Sequence, residues 1–196
     1  MLVLIDGKDA DAQAVATAAR AQNHRVVELP EDASQLPPGD GGFEWGLVFG
    51  GPSTERYRAL HASARARNIA LLNDVEQYQS AQSAPDTAAT APLRSMGAVT
   101  RSYRLFVLDA DVLVLGFLGG ETDPFGALGE ADQHQLASLA RDAAVRAKVP
   151  WLSVDVAQQE SGAWGLVATR EPGSAALGVI PPAHLVASLA RALDMR

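Results

Sequence analysis

The sequence predicts an α/β protein made of a parallel-sheet lobe followed by an α+β lobe, and three observations lead to this prediction. In the first 80 residues, short and continuously apolar strands alternate with helices, as in a parallel sheet covered on both faces. The stretch Ser80–Ala98 is small and polar and contains two prolines, which is typical of a linker. Paired apolar strands and amphipathic helices follow it. We therefore expect a first lobe at 1–80, a linker at 81–100 and a second lobe at 101–196.

Composition excludes several classes of function. The 196 residues carry a net charge of −7, which argues against binding to nucleic acid because phosphate neutralisation needs a basic surface. The chain has no cysteine, so disulfides, thiolate nucleophiles and cysteine-ligated zinc are excluded, and a reducing cytoplasm is the expected location. The apolar N-terminal run stops at Asp6, and Asp109 and Asp111 interrupt the run Leu105–Leu118. We therefore expect no membrane association.

The first lobe is predicted to open with a β-α-β unit and to continue with two further strands. Four strands and three helices follow from the apolar runs, the turn residues and the capping residues. In order, the prediction is strand Leu2–Ile5, a helix from about Asp9 to Gln22, strand Val26–Leu29, a loop from Pro30 to Gly42, strand Leu47–Phe49, a helix to about Arg67, strand Ile69–Leu72, and a helix capped by Asn73 or Asp74 that runs to about Gln82.

The second lobe is predicted to contain two hairpins and two helices. Alternating apolar residues around short polar turns indicate the hairpins, and apolar residues at helical spacing indicate the helices. In order, the prediction is strands Tyr103–Leu108 and Val112–Leu118, a helix from about Glu130 to Lys148, strands Trp151–Val156 and Ala163–Thr169, and a terminal helix that begins at Pro181-Pro182 with Leu185, Leu189 and Leu193 on one face.

A glycine-rich turn is the first candidate binding site. Gly50, Gly51 and Ser53 follow a strand and open a helix, where free backbone N–H groups can hold a phosphate or a carboxylate. Arg56 lies one turn further on and can add a positive charge. The alternative is a tight strand-to-helix turn with no ligand, with the arginine on a solvated helix face.

Asp155 is the second candidate, because it interrupts an apolar strand. An unpaired carboxylate in such a place costs free energy unless it meets a hydrogen-bond donor, a cation or a metal. Two interpretations follow: Asp155 belongs to a functional site, or it forms a structural salt bridge with an arginine such as Arg104.

Several segments together resemble the ATP-grasp proteins. The run from Gly50 to Leu60, followed by Leu71–Tyr78, is similar to the lobe that precedes the ATP site in this family. The strand Tyr103–Val107 is similar to the one that enters the C-terminal lobe. The pieces Ser153–Ala157 and Gly178–Pro182 are similar to the last hairpin and the terminal helix.

The resemblance implies an ATP-dependent carboxylate–amine ligase that uses magnesium and phosphate-binding lysines. Such a ligase implies three metal ligands on the last hairpin, the first of which is Asp155. The positions implied for the other two, a Glu and an Asn, hold Ala168 and Arg170, and neither side chain is a magnesium ligand. Glu171 is the nearby carboxylate that can substitute if the strand register slips.

A second departure from the family lies between Tyr78 and Arg101. The family implies a lid there that covers ATP and carries its lysines, and the short stretch present leaves no room for it. Lys8 and Lys148 do not lie where those lysines belong.

The expected function follows from these two departures. We expect a degenerate ATP-grasp-like protein without ligase activity, in a binding, regulatory or scaffold role, that pairs with itself or with a complete ligase. One alternative is a minimal ATP-dependent ligase in which Asp155 and Glu171 bind magnesium and Arg104 binds a phosphate of ATP. The other is a protein that binds a small anionic ligand at the glycine-rich turn.

Overall fold

The computed structural model describes residues 1–7, 9–32, 35–37, 42–83, 99–119, 123 and 126–196. Lys8 and parts of the expected loop at 30–42 lie outside these residues. So do residues 84–98, which make up most of the expected linker at 81–100, while residues 81–83 end a helix and residues 99–100 begin a strand. The chain folds into two compact units. Unit 1 comprises residues 1–79, 173–176 and 182–196, and unit 2 comprises residues 80–172 and 177–181.

The sheet of unit 1 is parallel, as the sequence predicts, with strand order β2-β1-β3-β4. Its strands are short and mostly apolar. All residues of β1 and the last four residues of β3 are buried, as expected for strands that helices cover. The elements that begin in unit 1 are β1 (Leu2–Ile5), α1 (Ala10–Ala21), β2 (Arg25–Glu28), β3 (Glu44–Phe49), α2 (Thr54–Arg65), β4 (Ile69–Leu71) and α3 (Val75–Ser83).

Polar side chains begin these helices. The Asp9 carboxylate accepts hydrogen bonds from the N–H groups of Asp11 and Ala12, both at 3.0 Å, and so caps α1. Asp74 caps α3 in a reciprocal arrangement, because its carboxylate accepts from the Gln77 N–H while the Gln77 side chain accepts from the Asp74 N–H. Two of the starts that the sequence predicts therefore rest on side-chain caps.

The sheet of unit 2 is antiparallel, with strand order β6-β5-β7-β8. The hairpin between β5 and β6 turns at Asp109 and Ala110, which both have positive φ angles. The elements of unit 2 are β5 (Val99–Leu108), β6 (Asp111–Phe117), α4 (Glu130–Ala147), β7 (Trp151–Gln159) and β8 (Trp164–Arg170). The buried face of α4 joins one core cluster with the strands, so this unit is the two-layer α+β lobe that the sequence predicts.

The terminal helix α5 (Pro182–Asp194) lies in unit 1, although we expected it in the second lobe. It packs against α1, and the side-chain amide of Gln22 donates to the Ala183 carbonyl at 2.8 Å. Four apolar side chains of α5 are buried: Leu185, Val186, Leu189 and Leu193. The apolar stripe indicates that one face of this helix is covered, but a stripe does not specify its partner.

The described residues contain no helix that is long and apolar enough to cross a membrane.

Candidate functional site

Asp155 lies in the middle of β7, directly opposite Arg104 on β5. The guanidinium of Arg104 donates from Nε to Oδ1 at 2.7 Å and from Nη2 to Oδ2 at 2.8 Å, so that both carboxylate oxygens are engaged. Each side chain is 8% exposed. Bidentate pairing of this kind is the strongest form of a charge-assisted hydrogen bond between side chains. The salt bridge that the sequence suggested for Asp155 is therefore present.

A second arginine contacts the same carboxylate. In the β7–β8 ladder Asp155 lies opposite Ala168, and Arg170 lies opposite Ser153. The Nε of Arg170 is 3.5 Å from Asp155 Oδ2, and the Arg170 side chain is 54% exposed. The neighbours of Asp155 on this face are thus two guanidinium groups and a methyl group.

These residues do not fit a magnesium ion. Magnesium needs oxygen ligands in octahedral geometry, and both oxygens of Asp155 already accept hydrogen bonds from arginine. Glu171 is 2% exposed and already takes part in an interaction, so it is not a free ligand. Within the described part of the chain, no group of three His, Cys, Asp or Glu residues could hold a metal ion.

The glycine-rich turn packs against the chain itself. The Gly50 N–H donates to the Gly173 carbonyl at 2.8 Å. Gly50 has a φ of +104°, and a Cβ at this residue would lie 1.7 Å from the Asp6 carbonyl oxygen. The Ser53 hydroxyl accepts from the Arg56 N–H at 3.3 Å and caps α2. The close approach of backbone explains the glycine here without a ligand.

Arg56 is fully engaged by neighbouring loops. Its Nε donates to Asp6 Oδ1 at 2.8 Å, and its two terminal nitrogens donate to the carbonyls of Glu31 at 2.5 Å and Pro30 at 2.8 Å. The guanidinium thus bonds to one side-chain acceptor and two backbone acceptors, and it holds the loop at Pro30 and Glu31 next to Asp6. Of the five residues expected at an anion site, the structure thus brings Gly50, Gly51, Ser53 and Arg56 together in unit 1 and pairs Arg104 with Asp155 in unit 2.

Two groups of residues are not predicted by the sequence analysis above. The first is Gly173, although Pro172-Gly173 after a strand is a signal for a close turn. The second group is a cluster in which the Asp123 carboxylate accepts from the Tyr103 hydroxyl and from Arg101. Burial and the hydrogen bond to Asp123 raise the pKa of Tyr103 to about 12. No pattern in the sequence indicates this cluster, because its members lie in a strand and a distant loop.

Comparisons with solved structures place the fold. No family model matches the sequence, and no curated relative does. The ATP-grasp ligase PsnB, solved with a minimal precursor, superposes with a TM-score of 0.61 at 11% identity over 97% of this chain and 98% of its own. The RimK-domain ATP-grasp protein of Sphaerobacter thermophilus gives 0.51 at 13% identity over 97% and 100%. The macrocyclase MdnB of Microcystis aeruginosa gives 0.53 at 13% identity over 99% and 94%.

At these identities the likeness establishes architecture, and it confirms the resemblance inferred from the sequence. With one parallel and one antiparallel four-stranded sheet, the chain has the fold of these ATP-grasp proteins.

Proposed function

We propose that this chain is an ATP-grasp-fold protein that has lost ligase activity and acts by binding. The observation that carries the proposal is the environment of Asp155. Its carboxylate is bound by Arg104 at 2.7 and 2.8 Å and approached by Arg170 at 3.5 Å. Two guanidinium groups supply the positive charge that a metal ion would bring, and they would repel such an ion. A reaction that depends on magnesium at this carboxylate is therefore disfavoured.

The position opposite Asp155 supports the same proposal. Ala168 is the direct cross-strand neighbour and offers no oxygen ligand. PsnB has been solved with magnesium and ADP. In this chain, a magnesium ion could bind the Asp155 carboxylate only after displacing Arg104 from a nearly buried salt bridge. Breaking such a salt bridge is costly. The geometry thus favours a salt bridge that stabilises β5 and β7.

No specific observation in the structure supports either alternative function. A minimal ligase would use Asp155, Glu171 and Arg104, and each of them is engaged in other interactions. A small-anion protein would use the turn at Gly50 and the guanidinium of Arg56, which are occupied by a carbonyl, a carboxylate and loop carbonyls.

The test measures nucleotide binding and turnover side by side. Isothermal titration of the protein with ATP and magnesium should give no heat of binding at micromolar concentrations, and ADP release should not rise when carboxylates and amines are supplied. An active ATP-grasp ligase such as PsnB serves as the positive control for the assay. Magnesium-dependent binding of ATP with ADP release that disappears in Asp155→Asn would overturn the proposal.

The partner proposed for this binding role is a second copy of the chain or a complete ATP-grasp ligase. Sedimentation velocity at increasing protein concentration tests the first, and co-sedimentation with a complete ATP-grasp ligase tests the second. If the protein is strictly monomeric and also fails to co-sediment with the ligase, both proposed partners are contradicted.

A further inference from the structure

A cavity at the edge of the unit 2 sheet has no part in the function proposed above. It lies beside the edge strand β6 and the first turn of α4, and all of its lining residues belong to unit 2. Its volume is 530 Å³. Sites that bind small molecules have volumes of about 300–1,000 Å³ and are mostly apolar, with a few polar groups that fix the ligand. The size of this cavity therefore suits a small organic molecule.

Apolar side chains form much of the cavity wall. Phe117 and Leu128 are nearly buried, whereas Leu115 and Val179 are 39% and 36% exposed. Leu115 lies opposite the fully buried Leu105 in the β5–β6 ladder. Single exposed apolar residues are common on protein surfaces, but two that line one cavity indicate a surface suited to an apolar ligand.

A nearly buried polar cluster lies at the same cavity. Tyr103 and Asp123 both belong to the lining, and the Asp123 side chain is 10% exposed. The Asp123 carboxylate accepts hydrogen bonds from the Tyr103 hydroxyl and from Arg101 Nε, the latter at 2.9 Å. Arg101 is not among the residues that line the cavity. It therefore neutralises the carboxylate without adding a donor to the cavity wall.

The side-chain donors in the lining already have acceptors within the protein. The Tyr103 hydroxyl donates to Asp123, and the side-chain amide of Gln133 donates to the Leu128 carbonyl at 2.8 Å. This second bond fixes which end of the Gln133 amide is the oxygen, and that oxygen accepts no hydrogen bond within the described part of the chain. The polar atoms that the cavity offers to a ligand are thus mainly acceptors.

We propose that this cavity binds a small, neutral, largely apolar molecule that carries one O–H or N–H donor. An anion would meet the acceptors of Asp123 and Gln133 and would be repelled. A cation would lose its hydration beside a carboxylate whose charge Arg101 already neutralises, and that loss is costly. The proposal depends neither on the loss of ligase activity nor on the protein partner proposed above.

Four molecules of similar shape test the proposal on the full chain. They are 4-methylphenol, toluene, 4-methylbenzoate and 4-methylbenzylamine, which at pH 7 are a neutral donor, a molecule without a donor, an anion and a cation. Backbone amide shifts are followed by NMR. We expect 4-methylphenol to give saturable shifts at residues 115–117 and 126–128. Toluene should shift the same amides with about two- to tenfold weaker affinity, as expected for one hydrogen bond less. The two charged molecules should bind more weakly than toluene.

A variant that fills the cavity gives the second measurement. Ala127 is exposed and belongs to the lining, so the ring introduced by Ala127→Phe can occupy the cavity without disturbing the core. This variant should lose the saturable shifts. Val145→Phe is the matched control, because Val145 is 63% exposed on α4 and lies outside the lining. It should bind 4-methylphenol as the wild-type protein does.

Three results would overturn the proposal. If neither 4-methylphenol nor toluene gives saturable shifts, the cavity is not a binding site. Equal affinity for these two molecules, or tighter binding of a charged one, would contradict the class of ligand. Unchanged binding in a folded Ala127→Phe protein would show that the ligand binds elsewhere. If Ala127→Phe does not fold, the four titrations of the wild-type protein still decide the question.

Discussion

The Asp155–Arg104 pair of unit 2 and the Asp6–Arg56 pair of unit 1 have the same chemistry but different surroundings. In unit 2, Asp155 and Arg104 face each other across neighbouring strands, and each side chain is 8% exposed. In unit 1, Asp6 and Arg56 meet at the end of β1, with side chains 15% and 24% exposed. The Arg56 guanidinium also donates to two loop carbonyls. The chemistry is the same, but one pair is inside a sheet and the other is among loops.

This difference determines what each pair does. Both members of the cross-strand pair are nearly buried, so replacement of Asp155 leaves the Arg104 charge without its carboxylate in a place that water scarcely reaches. The loop pair has several partners and partial contact with solvent, so the remaining members can compensate. The first pair therefore contributes to the stability of unit 2 as a unit, and the second positions the loop at Pro30 and Glu31 beside the glycine-rich turn.

Removal of one carboxylate at a time should separate the two pairs most strongly. Asp155→Ala should lower the free energy of unfolding by about 3–5 kcal/mol, because it removes the carboxylate that neutralises the nearly buried charge of Arg104. Asp6→Ala should cost about 1 kcal/mol, because Arg56 keeps two carbonyl acceptors and access to water. Urea denaturation followed by tryptophan fluorescence measures both variants.

A double variant gives the control for this comparison. Replacing Asp155 and Arg104 together by leucine removes both charges, and we expect it to recover most of the stability lost in Asp155→Ala. Equal losses in Asp155→Ala and Asp6→Ala would contradict the distinction between the buried pair and the loop pair.

Unit 1 combines residues 1–79 with the terminal helix α5, and the next prediction tests this arrangement. Leu189 is 1% exposed on α5, which packs against α1. Leu189→Ala should lower the free energy of unfolding by about 2–5 kcal/mol through the cavity it leaves. Hydrogen exchange measured by mass spectrometry should accelerate first in α1 and β2, far away in sequence, and less in β5 and β7.

The matched control is Val145→Ala on α4, where the side chain is 63% exposed. This change should shift the stability by no more than about 0.5 kcal/mol. If Leu189→Ala accelerated exchange in β5 and β7 before α1, the assignment of α5 to unit 1 would be wrong.

The sequence predicted the elements well because local rules govern them. Apolar runs bounded by glycine and aspartate located the strands, and the expected cap at Asn73 or Asp74 located the start of α3, which Asp74 caps. The sequence also indicated the partner of Asp155. A carboxylate among apolar neighbours requires a hydrogen-bond donor, and Arg104 lies on a neighbouring strand. These inferences need only residues close in sequence or adjacent in one sheet.

The remainder depended on packing between distant segments. The stripe of leucines on α5 is compatible with either unit, and only the structure places it against α1. Likewise, the glycines at 50 and 51 fit both an anion cradle and a close backbone approach. The deciding residue, Gly173, is more than a hundred positions away. Neither ambiguity is resolved by propensity or spacing, because both depend on which surfaces meet.

The smallest predicted effect distinguishes the units by pH. In unit 2, burial and the hydrogen bond to Asp123 raise the pKa of Tyr103 to about 12, above its unfolded value of about 10. The stability that Tyr103 contributes is therefore complete below pH 10 and is lost as the pH rises towards 12. In unit 1, burial and the N-terminal charge lower the pKa of His24. Its contribution is complete above about pH 6.5 and is lost as the pH falls below that value.

Alkaline and acidic conditions should thus loosen different units. Unfolding measured from pH 5 to pH 12 in Tyr103→Phe should show a flatter alkaline limb than wild type, and His24→Gln should show a flatter acidic limb. Each variant should leave the other limb unchanged, because the two residues lie in different units and share no partner. If His24→Gln flattened the alkaline limb as well, the two units could not be treated as separate in their response to protons, and the contrast between their charged pairs would need to be measured on the whole chain.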